Sequence, residues 1–202
     1  MDMPAAGASP PFDASRGGPT PLSSLATALM LRVAQGDAAA FAALVRQLER
    51  MALGLAWRTL QDRAEAEDAC QQAFARLWTE AARFDPARGN VEAWFRRILV
   101  NLCLDRRRAV RPVVSIDVAY DLADPAPDPE AQAIANDGQA RLAAAMARLN
   151  VRQRAALSLF HGEGLSMAEI AAHMDTTAKA VEGLLGRARN ELRTIMNESA
   201  RQ

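Results

Sequence analysis

The sequence predicts an all-α protein of two small helical domains joined by a flexible acidic linker, and three observations carry that prediction. Apolar residues recur at helical spacing from Leu25 to about Arg111, and again from about Ala131 to Met196. Between them, PVVSIDVAYDLADPAPDPE combines Pro112, Pro125, Pro127 and Pro129 with Asp117, Asp121, Asp124, Asp128 and Glu130. Four prolines deny that stretch a regular helix, and no basic residue follows it until Arg141. Half the residues are hydrophobic but only ten are aromatic, a balance that suits helices packed closely through small side chains. No strand-rich segment and no internal repeat competes with this reading.

The elements follow in order. MDMPAAGASPPFDASRGGPTP has no charged segment leading into an apolar core, so it reads as a disordered tail over residues 1–22 and not as a signal peptide. A first domain is expected over 23–111. Its first helix runs near 25–35 and stops at Gly36. Asp37 can cap the second, whose Phe41, Leu44, Val45, Leu48 and Leu55 share a face. Asp62, with Glu65 three residues on, begins a third as a variant capping box. There Ala66, Ala69, Cys70, Ala73, Phe74 and Leu77 point to a core. FDPARGN (84–90) interrupts the pattern with Pro86 and Gly89. A fourth helix places Val91, Trp94, Phe95, Ile98 and Leu102 on one side.

The linker is expected over 112–130, a second domain over 131–197 and a short tail over 198–202. In the second domain Ser166 and Glu169 form a Ser-x-x-Glu capping box before Ile170. Asp175-Thr176-Thr177 makes a turn. Val181, Leu184, Leu185, Ala188, Leu192 and Ile195 then form one apolar stripe, which reads Leu184 as core. The two short helices around the turn have the outline of a helix-turn-helix.

Several function classes are disfavoured. The chain has 24 basic and 24 acidic residues, so any nucleic-acid binding must come from local segregation of charge. His161 and His173 are the two histidines, and neither sits in a metal-spaced or nucleophile-activating pattern. Cys70 and Cys103 lack the spacing of a zinc site and read as reduced, buried thiols. No glycine-rich phosphate loop occurs. No enzyme, cofactor or metal site is expected. With no run of eighteen apolar residues, neither is membrane insertion, and the protein should be cytoplasmic.

Three surfaces remain. After the turn, Lys179, Arg187, Arg189 and Arg193 stand against Glu182 and Glu191, a pattern open to phosphate binding or to a plain solvated face. WFRRILVNLCLDRRR (94–108) carries five arginines, and Arg97, Asn101 and Arg108 share a stripe beside its apolar face. The Asn101 amide can bond a base edge; an amphipathic helix with a soluble basic end is the plainer reading. On EAEDACQQAFARLW (65–78), Asp68, Gln71, Gln72 and Arg76 point outward.

Taken together, AEDACQQAFARLW, FDPARGNVEAWFRRILVNLCLDRRR and RLNVRQRAALSLFHGEGLSMAEIAAHMDTTAKAVEGLLGRARNEL resemble regions 2.2, 2.3–2.4 and 4 of the extracytoplasmic-function sigma factors of the sigma-70 family. The resemblance spans roughly residues 28–196. It implies a first domain equivalent to region 2, a helix-turn-helix domain equivalent to region 4, and an alternative sigma factor that directs promoter recognition, −10 melting and initiation. Asp68, Gln71 and Gln72 match positions that dock on the β′ clamp of core RNA polymerase. Arg97 and Asn101 match −10 contacts, with Arg88, Gly89 and Asn90 in the preceding loop. The −35 contacts fall on Thr177, Lys179, Glu182, Gly183, Gly186, Arg187 and Arg189. The implied partners are core polymerase (β′ clamp and β flap), promoter DNA and an anti-sigma factor. In the family the recognition helix usually reads Thr-Val-Lys/Arg-Ser-Arg; here the same places are Ala180, Val181, Glu182, Gly183 and Leu184. The rival reading is a stand-alone helix-turn-helix regulator whose first domain senses or dimerises.

Overall fold

A computed structural model describes residues 21–109 and 142–199, with side chains described over 25–106 and 142–198. The acidic linker, the Arg108 side chain, the last residues and nearly all of the N-terminal tail lie outside the described residues. The described elements are all helical: α1 (Pro21–Val33), α2 (Ala38–Leu60), α3 (Arg63–Glu80), α4 (Val91–Ala109), α5 (142–148), α6 (Val151–Leu157), α7 (Met167–His173) and α8 (Ala178–Ser199).

Local chemistry sets most of the boundaries. α1 begins at Pro21, four residues ahead of the expected start; proline suits a first helical position because its missing N–H has no partner there anyway. Gly36 then adopts φ +84, a turn that favours glycine. Asp37 caps α2, accepting from the backbone N–H of Ala39 and Ala40 at 2.9 Å each. Asp62 caps α3 by accepting from Glu65 N–H at 3.0 Å. The reciprocal half of the expected capping box goes elsewhere: Glu65 turns to Arg106 on α4 at 2.7 Å. In the second group both capping boxes close, Asn150 with Gln153 on α6 and Ser166 with Glu169 on α7.

α1 to α4 pack around Met30, Leu44, Leu48, Leu55, Leu60, Leu77, Phe95 and Leu99, all essentially inaccessible to solvent. Phe74 stacks on Phe95 with ring centroids 4.7 Å apart, tying α3 to α4. α6, α7 and α8 enclose Leu159, Ile170, Met174, Val181, Leu185 and Ala188. The apolar core is continuous across the two groups. α2 and α4 pack against α6, and α4 also meets α7.

That packing changes the reading of α4. Val91, Phe95 and Leu102 are buried as expected, and Trp94 and Ile98 are half-buried. A second row at steps of four is also withdrawn from solvent: Val100 and Leu104 are buried, and the Arg96 side chain is 14% exposed where it meets Glu163; α6 and α7 both pack on α4. A single-domain wheel places that row toward water.

Candidate nucleic-acid and polymerase interface

α3 builds the first surface. Ala66, Ala69, Ala73 and Leu77 are buried on one side, and Asp68, Gln71, Gln72 and Arg76 are exposed on the other. Asp68 is not loose: Arg106 of α4 binds it and Glu65 together. The Arg106 side chain is itself 16% exposed and, despite its burial, is held more basic than usual by these two carboxylates. Sequence reasoning grouped Arg106 with the basic end of α4. Its carboxylate partners lie about forty residues away, so no local pattern shows the pairing.

α4 and the loop before it build the second. Arg88, Gly89 and Asn90 are exposed. Gly89 adopts φ +147, ψ 178, a region open in practice to glycine alone, so the turn into α4 depends on it. Asn90 has a structural duty: its Oδ1 accepts from Ala93 N–H at 2.7 Å, capping α4. Arg97 is exposed and Asn101 half-buried on the strip that the two buried rows leave. The structure therefore brings Arg97 and Asn101 to one strip, with the loop at the N-terminal end of the same helix.

The third surface is the exposed side of α8. Thr177 caps the helix, its Oγ1 accepting from Ala180 N–H at 3.2 Å. Lys179, Glu182, Gly186, Arg187 and Arg189 are exposed and Gly183 is half-buried. Leu184 is 9% exposed, packed with Val181 and Leu185, so its departure from the family's usual residue belongs to the core. Arg187 lies over Gly183, where an added Cβ would stand 3.3 Å from Nη1. The Arg189 guanidinium sits 5.3 Å from the Phe160 ring centroid, a cation–π contact that orients it. Glu182 stands among these cations as the surface's one exposed carboxylate before Glu191.

His173 is buried (7% exposed) and its Nδ1 bonds the Glu169 carbonyl at 2.8 Å, which makes it a packing residue. Burial pushes its pKa below the usual value; the Glu169 bond opposes this, and the charges of Arg96 and Arg97 add to it. Both thiols are buried, and burial raises each pKa to about 12.

Comparison with known proteins decides between the two readings of the sequence. The family models for sigma-70 region 2 and sigma-70 region 4 match residues 44–112 and 139–192. The ECF RNA polymerase sigma factor SigK of Mycobacterium tuberculosis is 32% identical over 183 residues, covering 89% of this chain and 96% of SigK. This chain is an extracytoplasmic-function sigma factor. SigE of Mycolicibacterium smegmatis is 35% identical over 170 residues, 81% of this sigma factor and 65% of SigE. The solved structure of CnrH in complex with the cytosolic domain of CnrY superposes with a TM-score of 0.61 at 28% identity, covering 86% of this chain and 98% of that one. A sigma factor RpoE bound to the anti-sigma factor NepR, from Bartonella quintana, shares the fold (TM-score 0.60, 21% identity, 78% and 96% covered). As a sigma factor the protein binds core RNA polymerase and directs transcription initiation at promoters. Nothing in these likenesses supports the stand-alone regulator. Among the described residues no helix is long and apolar enough to cross a membrane.

Proposed function

We propose that this sigma factor divides promoter opening among the three surfaces. Asp68, Gln71 and Gln72 on α3 dock on the β′ clamp of core polymerase. Arg97 and Asn101 on α4, with Arg88, Gly89 and Asn90, hold an unstacked base of the non-template −10 strand. α8 docks in the −35 major groove through Thr177, Lys179, Arg187 and Arg189, with Gly183 and Gly186 allowing close approach, and region 4 meets the β flap. Capturing a flipped base repays an unstacking cost of a few kcal/mol, which is how a pocket assists melting. Glu182 accepts from a cytosine amino group, a contact worth about 1–3 kcal/mol when aligned. The protein works in the cytoplasm, catalyses no reaction itself, needs no cofactor or metal, and is restrained by an anti-sigma factor.

The observation that carries the docking assignment is the α3 strip: three polar side chains exposed together on a helix whose other side is fully buried, one of them held in place by Arg106. The test is binding to purified core polymerase, with wild type compared to a variant carrying Asp68, Gln71 and Gln72 all changed to alanine. Tight binding by wild type and loss in the variant is the expected result. Equal binding by both removes α3 as the docking helix.

A further inference from the structure

We propose that Glu163 is a latch that holds the two helical groups closed in the free sigma factor, and that opening it is required before the −10 and −35 surfaces can act together. This rests on the assignment of those two surfaces given above.

Glu163 follows a π-helical turn, Ser158–Gly162, in which Glu163 N–H donates to the Ser158 carbonyl at 3.1 Å. The turn aims its side chain, 10% exposed, at the first group. Oε1 accepts from Arg58 of α2 at 2.9 Å, and Oε2 accepts from Arg96 of α4 at 3.4 Å. The Arg58 guanidinium lies between two glycines. A Cβ at Gly54 would stand 3.1 Å from its Nη1, and one at Gly162 would stand 3.0 Å from its Nη2. Arg154 of α6, 3% exposed, donates to the Thr59 carbonyl at 2.7 Å, placing a cation at the C-terminal end of α2. The contact is therefore built from both sides.

It is also incompletely satisfied. Arg58 Nε, Arg96 Nε and His173 Nε2 are buried with no hydrogen-bond partner among the described residues. Each buried donor without an acceptor costs free energy, which lowers what the closed network contributes to holding the two groups together.

Geometry supplies the need to open. In the closed form α4 touches α7 and α7 touches α8, so the two DNA surfaces stand within a few helix diameters, on the order of 10 Å each. Elements centred near −10 and −35 lie about 25 base pairs apart, roughly 85 Å at about 3.4 Å per base pair. The chain between Ala109 and Leu142 can span at most about 110 Å, enough to allow the separation. On opening, Arg96, next to Arg97 on α4, exchanges a carboxylate for a DNA phosphate, a partner of the same charge sign and fork geometry.

Two full-length variants open the latch in different ways. Glu163→Gln removes its charge; Gly162→Ala crowds the Arg58 guanidinium, which must give by a few tenths of an ångström, and changes no charge. Glu198→Gln, at an exposed pair with Arg148 (3.5 Å), removes an equal charge away from the latch as a control. The measurements are radius of gyration by small-angle scattering and affinity for a fluorescent 20-nucleotide mixed-sequence single strand at fixed salt, with helical content checked by circular dichroism. Both latch variants should show a larger radius and bind the strand about five- to tenfold more tightly, as a larger competent fraction requires; the control should match wild type. An unchanged radius in both overturns the latch. A larger radius with unchanged strand affinity overturns the claim that closure limits DNA access. Failure of the underlying surface assignment reads out elsewhere, as promoter opening by assembled polymerase that is indifferent to Asn101→Ala.

Discussion

The two DNA-facing helices solve burial differently. α8 is amphipathic in one direction: Val181, Leu184, Leu185 and Ala188 are buried, and the whole opposite side, with Lys179, Glu182, Arg187 and Arg189, meets water. α4 is withdrawn along two rows, one holding Phe95 and Leu99 and one holding Val100 and Leu104, with α6 and α7 also packed on it, and among the described side chains it leaves Arg97, Asn101 and Asp105 along the remaining strip. So α8 is accessible but chemically unusual, with a carboxylate among its cations, whereas α4 has orthodox chemistry and restricted access. What limits α4 is the arrangement of the molecule; what limits α8 is its side chains.

Several measurements break or sharpen this contrast. The largest effect is expected at the base of α8: Leu185→Ala, at a side chain 1% exposed, should cost about 2–5 kcal/mol in urea unfolding. A loss under 1 kcal/mol would mean that α8 is not anchored by its stripe. Next, Asn101→Ala should reduce open-complex formation about tenfold while leaving polymerase binding intact, since a well-placed amide contact is worth 1–3 kcal/mol. Equal opening by the variant would remove Asn101 from the strip's function. Glu182→Arg should change the preferred −35 bases by about 1 kcal/mol or more in a competition assay; an unaltered preference places Glu182 outside the groove. Ser166→Ala should cost about 1 kcal/mol, because the hydroxyl caps α7 and holds Glu169.

The smallest effect is a pH slope. His173 has a folded pKa below its ordinary 6.5, chiefly because it is buried, with Glu169 beside it on α7 and Arg96 and Arg97 facing it from α4. As pH falls from about 6.5 toward the lower folded value, the unfolded chain binds the proton first, so stability should decline across that window. His173→Gln should flatten this part of the curve. An identical slope in both proteins would assign it to other groups.

The caps and stripes were legible in the sequence because each is a short-range rule. Ser166 with Glu169, Asp37 before α2, and the α8 stripe that makes Leu184 core all depend on residues within a few turns of one another. The second row of α4 was not legible: Val100 and Leu104 are buried and Arg96 pairs with Glu163, on a helix that also packs against α6 and α7, which begin more than forty residues later. The same holds for Glu163 with Arg58, 105 positions apart, and for Arg106 with Glu65 and Asp68. Long-range ion pairs leave no periodicity behind.

The two buried thiols have a practical consequence. At pKa values of about 12, Cys70 and Cys103 present thiolate on the order of one part in ten thousand or less near neutral pH, and both are shielded as well. They are the chain's two cysteines. A cysteine introduced on the surface of each helical group would therefore react with a maleimide dye far faster than either native one. The wild-type background already suits fluorescence ruler experiments, and the opening of the chain can be followed in real time without first removing its own sulfur.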